Sequence, residues 1–470
     1  MGEKTDVRRS RPRRRMLAGA LVLLGVSAAL AWFAVRRSPA PGTPGDTFTI
    51  YLLGSSAAQG YPYAPNVNIG KIARLLVGDR IDGRRVRVWN MAGPGKTARV
   101  VRRDADQLAR KPPSARHSLV FLFLGNNEFA RLDRRHDLQG TERDLFDEPV
   151  VSAAERARVV ERYRQDLQYI FETLKTAGLQ VVASRSAVNL ADWEPNRSIL
   201  SYPAHADTIR AWLAAGNRAA AAEDPGAALA HFEHILRLEP QFALASKRAG
   251  DCCRALGRNA AARRHYQDAV DHDGNPLREI SELDTVLRQV AAWHHVPVVD
   301  APQLLAAASP DSLSGFALMW DNCHPNLEGY AVLARGLVAT LDSLFDVTPR
   351  AVSAATLRDT LGVNLQVERQ VLNLEGQYCY VASALTHDPG PRLARARHYL
   401  ERADALGPDA DVTCSLAVLA ALEGNARQSM ACWRKARALD AALTRKRMDN
   451  RYVAQLMARY GIEDVAKDLQ

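Results

Sequence analysis

The chain has 470 residues, of which 47% are hydrophobic and 24% are charged. This composition is typical of a folded protein of two or three domains, and it excludes a disordered, collagen-like or disulfide-scaffold chain. The net charge is +10, but residues 1–37 contain nine cationic and two acidic residues and so carry most of it. Because the excess charge is confined to the N-terminus, we predict no nucleic-acid partner.

The N-terminus contains one charge-free apolar segment, from Met16 to Val35. About 20 such residues can span a bilayer as a helix. Seven cations precede the segment and two follow it, which favours a cytoplasmic N-terminus and an extracytoplasmic body, periplasmic or at the cell surface. We therefore predict a basic cytoplasmic tail at 1–15, a single-pass membrane anchor at 16–35 and a Pro/Gly-rich linker at 36–45. The alternative is a secreted protein with a signal peptide cleaved at Ala29-Leu30-Ala31.

From residue 46 onward, short apolar runs alternate with stretches of helical periodicity. Strands are predicted at Thr47–Leu53, Arg85–Met91, Ser118–Leu124, Leu179–Ser184 and Val296–Asp300. Helices are predicted at Asn66–Val77, Thr97–Lys111, Ala154–Ala177, Ser281–His294 and Leu327–Phe345. Helices of this length can connect parallel strands, so the alternation predicts an α/β doubly wound parallel sheet. This domain would comprise residues 46–204 and 276–346.

Residues 205–275 lie between the fourth and fifth predicted strands and are rich in alanine. An offset of 34 residues aligns Gly216 with Gly250 and Phe232 with Tyr266. A 34-residue period with small residues where paired helices touch resembles tetratricopeptide repeats. The resemblance implies a helical insertion whose concave surface binds a protein partner. The alternative is a pair of plain helical hairpins packed on the sheet.

The C-terminal region, residues 347–470, shows a weaker form of the same pattern. Ala394–Pro408 and Leu422–Asp440 are similar to degenerate second helices of such repeats. We therefore predict an α-helical, repeat-like C-terminal domain, again with plain helical hairpins as the alternative.

The cysteines and paired histidines do not indicate a metal site. The six cysteines lack the C-x-x-C spacing of zinc and redox motifs. Adjacent Cys252 and Cys253 lie in a helical segment, where a bridge between them is not expected. His294-His295 is interpreted as the end of a helix, where the dipole favours positive charge. We predict no cofactor and no metal.

Four polar motifs follow predicted strands or begin a helix, at the edge where a parallel sheet forms its ligand crevice. They are Gly54-Ser55-Ser56, Gly93-Pro94-Gly95, Gly125-Asn126-Asn127-Glu128 and Asp321-Asn322-Cys323-His324. A serine after a glycine turn can project its hydroxyl as a nucleophile, and an aspartate three residues before a histidine can orient the imidazole. Glycine N–H groups and an asparagine amide are the donors of an oxyanion hole. Each motif alone is a common loop, so the prediction depends on the ordered set.

That ordered set resembles the sequence blocks of the SGNH (GDSL-type) hydrolases. The resemblance implies a flavodoxin-like three-layer α/β/α fold and a serine esterase or acylhydrolase that needs no cofactor. It also implies that Ser56 is the nucleophile, His324 the general base and Asp321 the acid that orients it. The oxyanion hole would consist of the N–H groups of Ser56 and Gly95 and the side chain of Asn127.

Two positions depart from the family pattern. Gly54-Ser55-Ser56 replaces the usual Gly-Asp-Ser, which leaves Ser55 as an alternative nucleophile, and Glu128 replaces an aspartate. The sequence Gly93-Pro94-Gly95-Lys96-Thr97 is also similar to the end of a phosphate-binding loop. However, the first glycine of that loop would fall at Asn90, so this interpretation fails.

These features together predict an exported, membrane-anchored serine esterase that acts on an O-acyl ester, such as an acetylated polysaccharide or a lipid. Transfer of the acyl group to a second alcohol is an alternative outcome of the same chemistry. A second alternative, from another class, is an inactive SGNH-like scaffold that binds an envelope protein through its repeats.

Overall fold

A computed structural model describes residues 46–130, 151–450 and 453–454. The predicted tail, anchor and linker at residues 1–45 lie outside this part of the chain. Within it, no helix combines the length and apolarity that crossing a membrane requires.

The centre of the fold is a six-stranded sheet. Its strands are β1 (Thr47–Gly54), β2 (Arg80–Ile81), β3 (Arg84–Asn90), β4 (Ser118–Phe123), β5 (Val181–Ser184) and β6 (Val298–Val299). All five predicted strands are present within a few residues of their predicted bounds, and β6 is the most shortened. The strand order is β2-β3-β1-β4-β5-β6. Without β2, the remaining five strands follow the flavodoxin-like order.

The sheet is mixed, whereas the sequence predicted an entirely parallel one. Strands β1, β3, β4, β5 and β6 are parallel, but β2 pairs with β3 in antiparallel orientation. The connection between β2 and β3 contains Asp82 and Gly83, both with positive φ, which is the geometry of a tight hairpin. A strand of two residues has too short a pattern to be recognised from sequence.

Helices cover both faces of the sheet. The helices of this domain are α1 (Ser56–Gln59), α2 (Ile69–Leu76), α3 (Ala98–Arg110), α4 (Ala153–Thr176), α9 (Ser281–Trp293), α10 (Ala301–Ala308) and α11 (Leu327–Phe345). One apolar core joins the sheet to α3, α4 and α9, and the other joins it to α2, α10 and α11. Every residue of β4 is buried, as expected for a strand covered on both faces.

The insertion between β5 and β6 consists of two helical hairpins. Its helices are α5 (Ala206–Ala221), α6 (Pro225–Leu238), α7 (Ala243–Ala255) and α8 (Asn259–Asp271). A Cβ at Gly216 would lie 2.6 Å from the Phe232 ring, and one at Gly250 would lie 2.6 Å from the Tyr266 ring. The 34-residue offset therefore corresponds to a repeated contact in which each glycine admits an aromatic ring from the second helix of its hairpin.

The C-terminal region forms further helices. They are α12 (Ala354–Thr360), α13 (Leu365–Ala382), α14 (Gly390–Ala405), α15 (Ala410–Leu422), α16 (Ala426–Leu439) and α17 (Ala441–Met448). A Cβ at Gly376 on α13 would lie 2.6 Å from Leu400 on α14, so this hairpin also contains a close glycine contact. These helices have an apolar core of their own, to which Trp193 from the hydrolase-like domain also belongs.

Candidate active site

The turn after β1 places Ser56 at the carboxyl edge of the sheet. Gly54 has a φ of +139°, and a Cβ at this position would lie 1.9 Å from the carbonyl oxygen of Phe123 on β4. Only glycine permits this close approach. The N–H of Ser55 donates to the same carbonyl, and α1 then begins at Ser56. The Ser56 hydroxyl is thereby presented to the loop that precedes α11.

That loop carries the Asp-x-x-His motif as a closed turn. The Nε2 atom of His324 lies 2.7 Å from the Oγ atom of Ser56, and its Nδ1 atom lies 2.6 Å from Asp321 Oδ2. The other oxygen of Asp321 accepts the backbone N–H groups of Cys323 and His324 at 2.9 and 2.8 Å. Asp321 is completely buried. The three residues predicted as the triad are thus joined in one hydrogen-bonded chain.

Ser55, the alternative nucleophile, is placed differently. It is 2% exposed and lies at the N-cap of α1, whereas the imidazole of His324 hydrogen-bonds Ser56. The geometry therefore favours Ser56 over Ser55 as the serine that can be activated.

Sequence analysis missed the residues that hold the histidine loop in place. Asn189 follows β5, and its side chain donates to the carbonyl of Asp321 at 2.9 Å. Its N–H donates to the carbonyl of Asn322, and its own carbonyl accepts from buried Arg278 at 2.8 Å. A single asparagine and a single arginine have no motif, so only their positions in the fold identify them.

The predicted oxyanion donors lie on the two neighbouring loops. Gly95 has a φ of +65°, a left-handed conformation that favours glycine. Asn127 donates from Nδ2 to the carbonyl of Lys96 at 3.3 Å, which holds its amide beside Gly95. Among the described residues, the N–H groups of Ser56 and Gly95 have no hydrogen-bond acceptor. They are therefore available to a substrate oxygen.

Glu128, which departs from the family pattern, and Lys96, from the motif similar to a phosphate-binding loop, both have structural roles. Glu128 is buried and accepts the N–H of Ala98 at 2.9 Å, so the longer acid stabilises the first turn of α3. Lys96 donates to the carbonyl of Met91 and pairs with Asp104 at 2.6 Å. The ammonium group that a phosphate-binding loop would need is thus neutralised within the protein.

Comparison with known proteins identifies the family. The sequence profile of the GDSL-like lipase/acylhydrolase family matches residues 50–337. The chain belongs to this family. It is a serine ester hydrolase of the SGNH type, as the sequence motifs predicted. No curated protein matches the chain.

Several solved structures are similar to parts of this hydrolase. A lipolytic protein of the G-D-S-L family from Veillonella parvula has 13% identity and a TM-score of 0.31, and the alignment covers 62% of this chain and 96% of that one. A lipase/acylhydrolase from Enterococcus faecalis has 13% identity and a TM-score of 0.31, with 65% and 100% covered. A putative GDSL-like lipase from Parabacteroides merdae has 12% identity and a TM-score of 0.34, with 63% and 97% covered.

The electrostatics of the hydrolase favour a charged imidazole. Burial acts to lower the pKa of His324, but the charge and hydrogen bond of Asp321, with a contribution from Cys323, outweigh it and raise that pKa well above its usual value. Burial raises the pKa of the Cys323 thiol, so this neighbouring cysteine stays protonated and does not compete as a nucleophile. Asp321, Cys323 and His324 carry donor atoms within 4.8 Å of one another. Both ring nitrogens of His324 are engaged by Asp321 and Ser56, so we assign no metal to this group.

The wall of the site comes from the C-terminal helices. Tyr378 on α13 donates to Asn322 Oδ1 at 2.7 Å, and its ring centroid lies 6.1 Å from that of His324. From the hydrolase domain, the ring of Tyr61 lies 4.5 Å from His324. The insertion could have reached the strand ends, but among the described residues none of its side chains hydrogen-bonds or stacks on Ser56 or His324.

A buried acid lies on the same helix, three residues before Tyr378. Glu375 is completely buried, and neither of its oxygens has a hydrogen-bond partner in the described part of the chain. Burial, with the negative charge of Asp321, raises the pKa of Glu375 well above its usual range, while His324 acts in the opposite direction. Burial and Asp321 thus favour the protonated form of Glu375. No sequence motif indicates this residue, because it lies outside the family's blocks.

Proposed function

We propose that Ser56, His324 and Asp321 form the catalytic triad of this esterase. The observation that supports this most strongly is the hydrogen-bonded chain from Ser56 Oγ through His324 to buried Asp321, with distances of 2.7 and 2.6 Å. His324 Nε2 accepts the serine proton as Oγ attacks the ester carbonyl carbon. The imidazolium that forms is stabilised by the charge of Asp321.

The negative charge that develops on the carbonyl oxygen needs donors. The N–H groups of Ser56 and Gly95 and the amide of Asn127 supply them in this proposal. Such donors are preorganised, because Gly95 and Asn127 are held by the loops after β3 and β4. Removing one donor of this kind costs about 100- to 1,000-fold in kcat.

Collapse of the tetrahedral intermediate breaks the bond to the alcohol, which leaves with the proton from His324. An acyl-serine remains at Ser56. Water then attacks this ester while His324 takes a proton from it. His324 returns that proton to Ser56 Oγ as the bond to the acyl group breaks and the carboxylic acid leaves. If a second alcohol takes the place of water, the same steps transfer the acyl group.

The substrate class is proposed from the N-terminal sequence. An anchor at residues 16–35, or a cleaved signal peptide, would place the enzyme outside the cytoplasm. An acetylated polysaccharide or a lipid ester of the cell envelope is then the substrate. A protein partner bound by the helical hairpins remains part of this proposal, as does the alternative of an inactive scaffold.

The test is labelling of residues 46–470 by a fluorophosphonate probe, which forms a covalent bond with activated serines. We expect labelling of the wild-type protein and of Ser55→Ala, and loss of labelling in Ser56→Ala and His324→Ala. If a folded wild-type protein is not labelled, the catalytic proposal is wrong and the scaffold alternative is supported. Turnover of acetylated sugars or acyl lipids would then identify the ester.

A further inference from the structure

A second cleft lies beside the active site, where the C-terminal helices meet the hydrolase domain. Its volume is about 440 Å³. Its lining includes the acids Asp192 and Glu194, the arginines Arg392 and Arg395, and the rings of Trp193, Phe316 and His398. They come from the loop after β5, the loop before the histidine turn, and α14. None of them belongs to the triad or the oxyanion donors.

Two guanidinium groups are held against aromatic rings in this cleft. Arg392 lies over the Trp193 ring at 4.5 Å, and Arg395 lies over the Phe316 ring at 3.6 Å. Stacking fixes the plane of a guanidinium and leaves its N–H edge free to donate. That edge matches the two oxygens of a carboxylate.

The two acids that line the cleft, Asp192 and Glu194, already pair with cations outside it. Glu194 pairs with Arg248 at 3.3 Å and with Lys247 at 3.8 Å, and Asp192 pairs with Arg254 at 2.7 Å. Arg395 makes no ion pair with any described residue. An anionic group that enters the cleft therefore meets one uncompensated cation.

Within the described part of the chain, two buried polar atoms in the walls have no hydrogen-bond partner. They are Nε of Arg392, which is 2% exposed, and Oε2 of Glu194, which is 5% exposed. The other nitrogens of Arg392 donate to the carbonyls of Ala382 and Glu194 at 2.7 Å. Buried groups without a partner indicate a missing ligand or water. A donor and an acceptor together suit a hydroxyl group, which both accepts and donates, whereas an acyl chain would leave both unpaired.

The cleft is separated from the triad by a single aromatic layer. The Trp193 ring lies 6.0 Å from the Tyr378 ring, which in turn lies 6.1 Å from the His324 ring. The Trp193 and His324 rings are thus at most about 12 Å apart. This separation is short enough for one oligomeric substrate to span, with its ester at Ser56 and a remote unit in the cleft.

We propose that this cleft binds an acidic sugar unit of the substrate, with its carboxylate on Arg395 and hydroxyl groups on Arg392 and Glu194. The inference deepens the proposed function and depends on it for the ester, since it makes the substrate an acylated acidic polysaccharide. Binding at a remote unit positions the reacting ester, and this binding energy contributes to catalysis.

The first experiment measures binding by isothermal titration with the intact 46–470 protein. The probes are a hexuronic acid trisaccharide, a neutral hexose trisaccharide and acetate. We expect the acidic trisaccharide to bind most tightly, and Arg395→Met to weaken it about tenfold or more, because a hydrogen bond to a charged group is lost. Arg397→Met is the matched control, since Arg397 lies on the same helix but pairs with Glu401 and Glu423.

Three results with these probes and variants would overturn the inference. They are equal binding of the two trisaccharides, acetate binding as tight as that of the acidic trisaccharide, and equal effects of Arg395→Met and Arg397→Met. Tighter binding of anionic lipid vesicles than of the trisaccharide would also overturn it, in favour of a lipid headgroup. A change in melting temperature identifies a variant that has merely lost its fold, in which case Arg395→Lys replaces it, with weakened but detectable binding expected.

The second experiment separates this inference from the proposed function. The second experiment compares hydrolysis of an O-acetylated hexuronate trisaccharide with that of p-nitrophenyl acetate. Arg395→Met should raise KM for the trisaccharide about tenfold and should affect p-nitrophenyl acetate less. Arg397→Met should match the wild type on both substrates. If no ester is hydrolysed but the acidic trisaccharide still binds through Arg395, the proposed esterase function is wrong and the proposed sugar-binding cleft is supported. If esters are hydrolysed and Arg395→Met affects both substrates alike, the esterase function is supported and only the cleft proposal is wrong.

Discussion

The insertion and the C-terminal helices are built alike but serve the hydrolase differently. Both contain hairpins in which a glycine on one helix accepts a large side chain from the next, at Gly250 and at Gly376. The insertion extends the apolar core on one face of the sheet. The C-terminal helices form a separate core and place Tyr378 against the histidine loop. Similar local construction therefore does not determine which attachment completes the active site.

The network around Arg248 shows how the two attachments meet. Arg248, on the insertion helix α7, pairs with Glu194 of the hydrolase domain at 3.3 Å and with Asp388 of the C-terminal region at 2.7 Å. Burial acts to lower the pKa of Arg248, but these acids raise it above its usual value. One arginine thus joins three regions of the chain. The insertion therefore contacts both other regions through ion pairs.

The largest expected effect comes from a substitution in the histidine loop, which belongs neither to the insertion nor to the C-terminal helices. Asp321→Asn should lower kcat about 10,000-fold, because the imidazole loses the carboxylate that orients and charges it. In the wild type, activity should rise with pH through a His324 pKa above that of ordinary histidine, since only the neutral imidazole accepts the serine proton. The variant should titrate at lower pH. A pH profile of kcat/KM measures both, and an unchanged profile would contradict the role given to Asp321.

A matched pair of glycine substitutions separates stability from activity. Gly250→Ala and Gly376→Ala should each lower the free energy of unfolding by about 1–3 kcal/mol, because the new methyl group overlaps buried Tyr266 or Leu400. Denaturant titration measures this loss. Only Gly376→Ala should also lower kcat/KM of the folded enzyme, since its helix lines the site. Equal kinetic effects would show that the insertion contributes as much to the site.

A pair of aromatic substitutions tests the wall directly. Tyr378→Ala should lower kcat/KM about tenfold, because the histidine loop loses the hydrogen bond at Asn322 and its packing. Trp212→Ala in the insertion, where the ring lies 5.3 Å from that of His234, is the control and should leave kcat/KM unchanged. Tyr378→Phe removes the hydroxyl alone and should give an intermediate value. A larger loss of activity in Trp212→Ala than in Tyr378→Ala would contradict the role given to the C-terminal helices.

The smallest expected effect concerns Glu375. Its folded-state pKa is raised by burial and by Asp321, so the folded state holds this proton more tightly than the unfolded state does. Stability should therefore fall as pH rises from the usual glutamate range, about 4.3, through the raised pKa. Glu375→Gln cannot ionise, so its melting temperature should exceed that of the wild type by about 2 °C at pH 9 and by less at pH 5.

A second buried acid serves as the reference for that measurement. Burial raises the pKa of Glu279 to about 8, and this residue contributes the same trend in both proteins. The difference between wild type and Glu375→Gln isolates the acid on the C-terminal helix. A difference that does not change with pH would show that Glu375 is ionised alike in the folded and unfolded states.

Most of the hydrolase domain followed from the sequence, for identifiable reasons. A run such as Ser118–Phe123 is apolar throughout because both faces of β4 are covered, and its pattern is visible locally. The glycine at 54 is required by a carbonyl 1.9 Å from its missing Cβ. The 34-residue offset between Gly216 and Gly250 reflects a contact within each hairpin. In each case the pattern that indicates the contact is visible in a short stretch of sequence, even where the contacting residue lies farther along the chain.

The sequence by itself determined the order of the five parallel strands along the chain, the family and the residues proposed as the triad, because these depend on local periodicity and on short motifs. Only the tertiary structure decided that β2 is antiparallel, that Ser56 rather than Ser55 meets His324, and that the C-terminal helices rather than the insertion form the wall. Contacts such as Tyr378 with Asn322 or Asn189 with Asp321 join residues far apart in sequence. They arise from packing between domains, which leaves no periodic pattern in the chain.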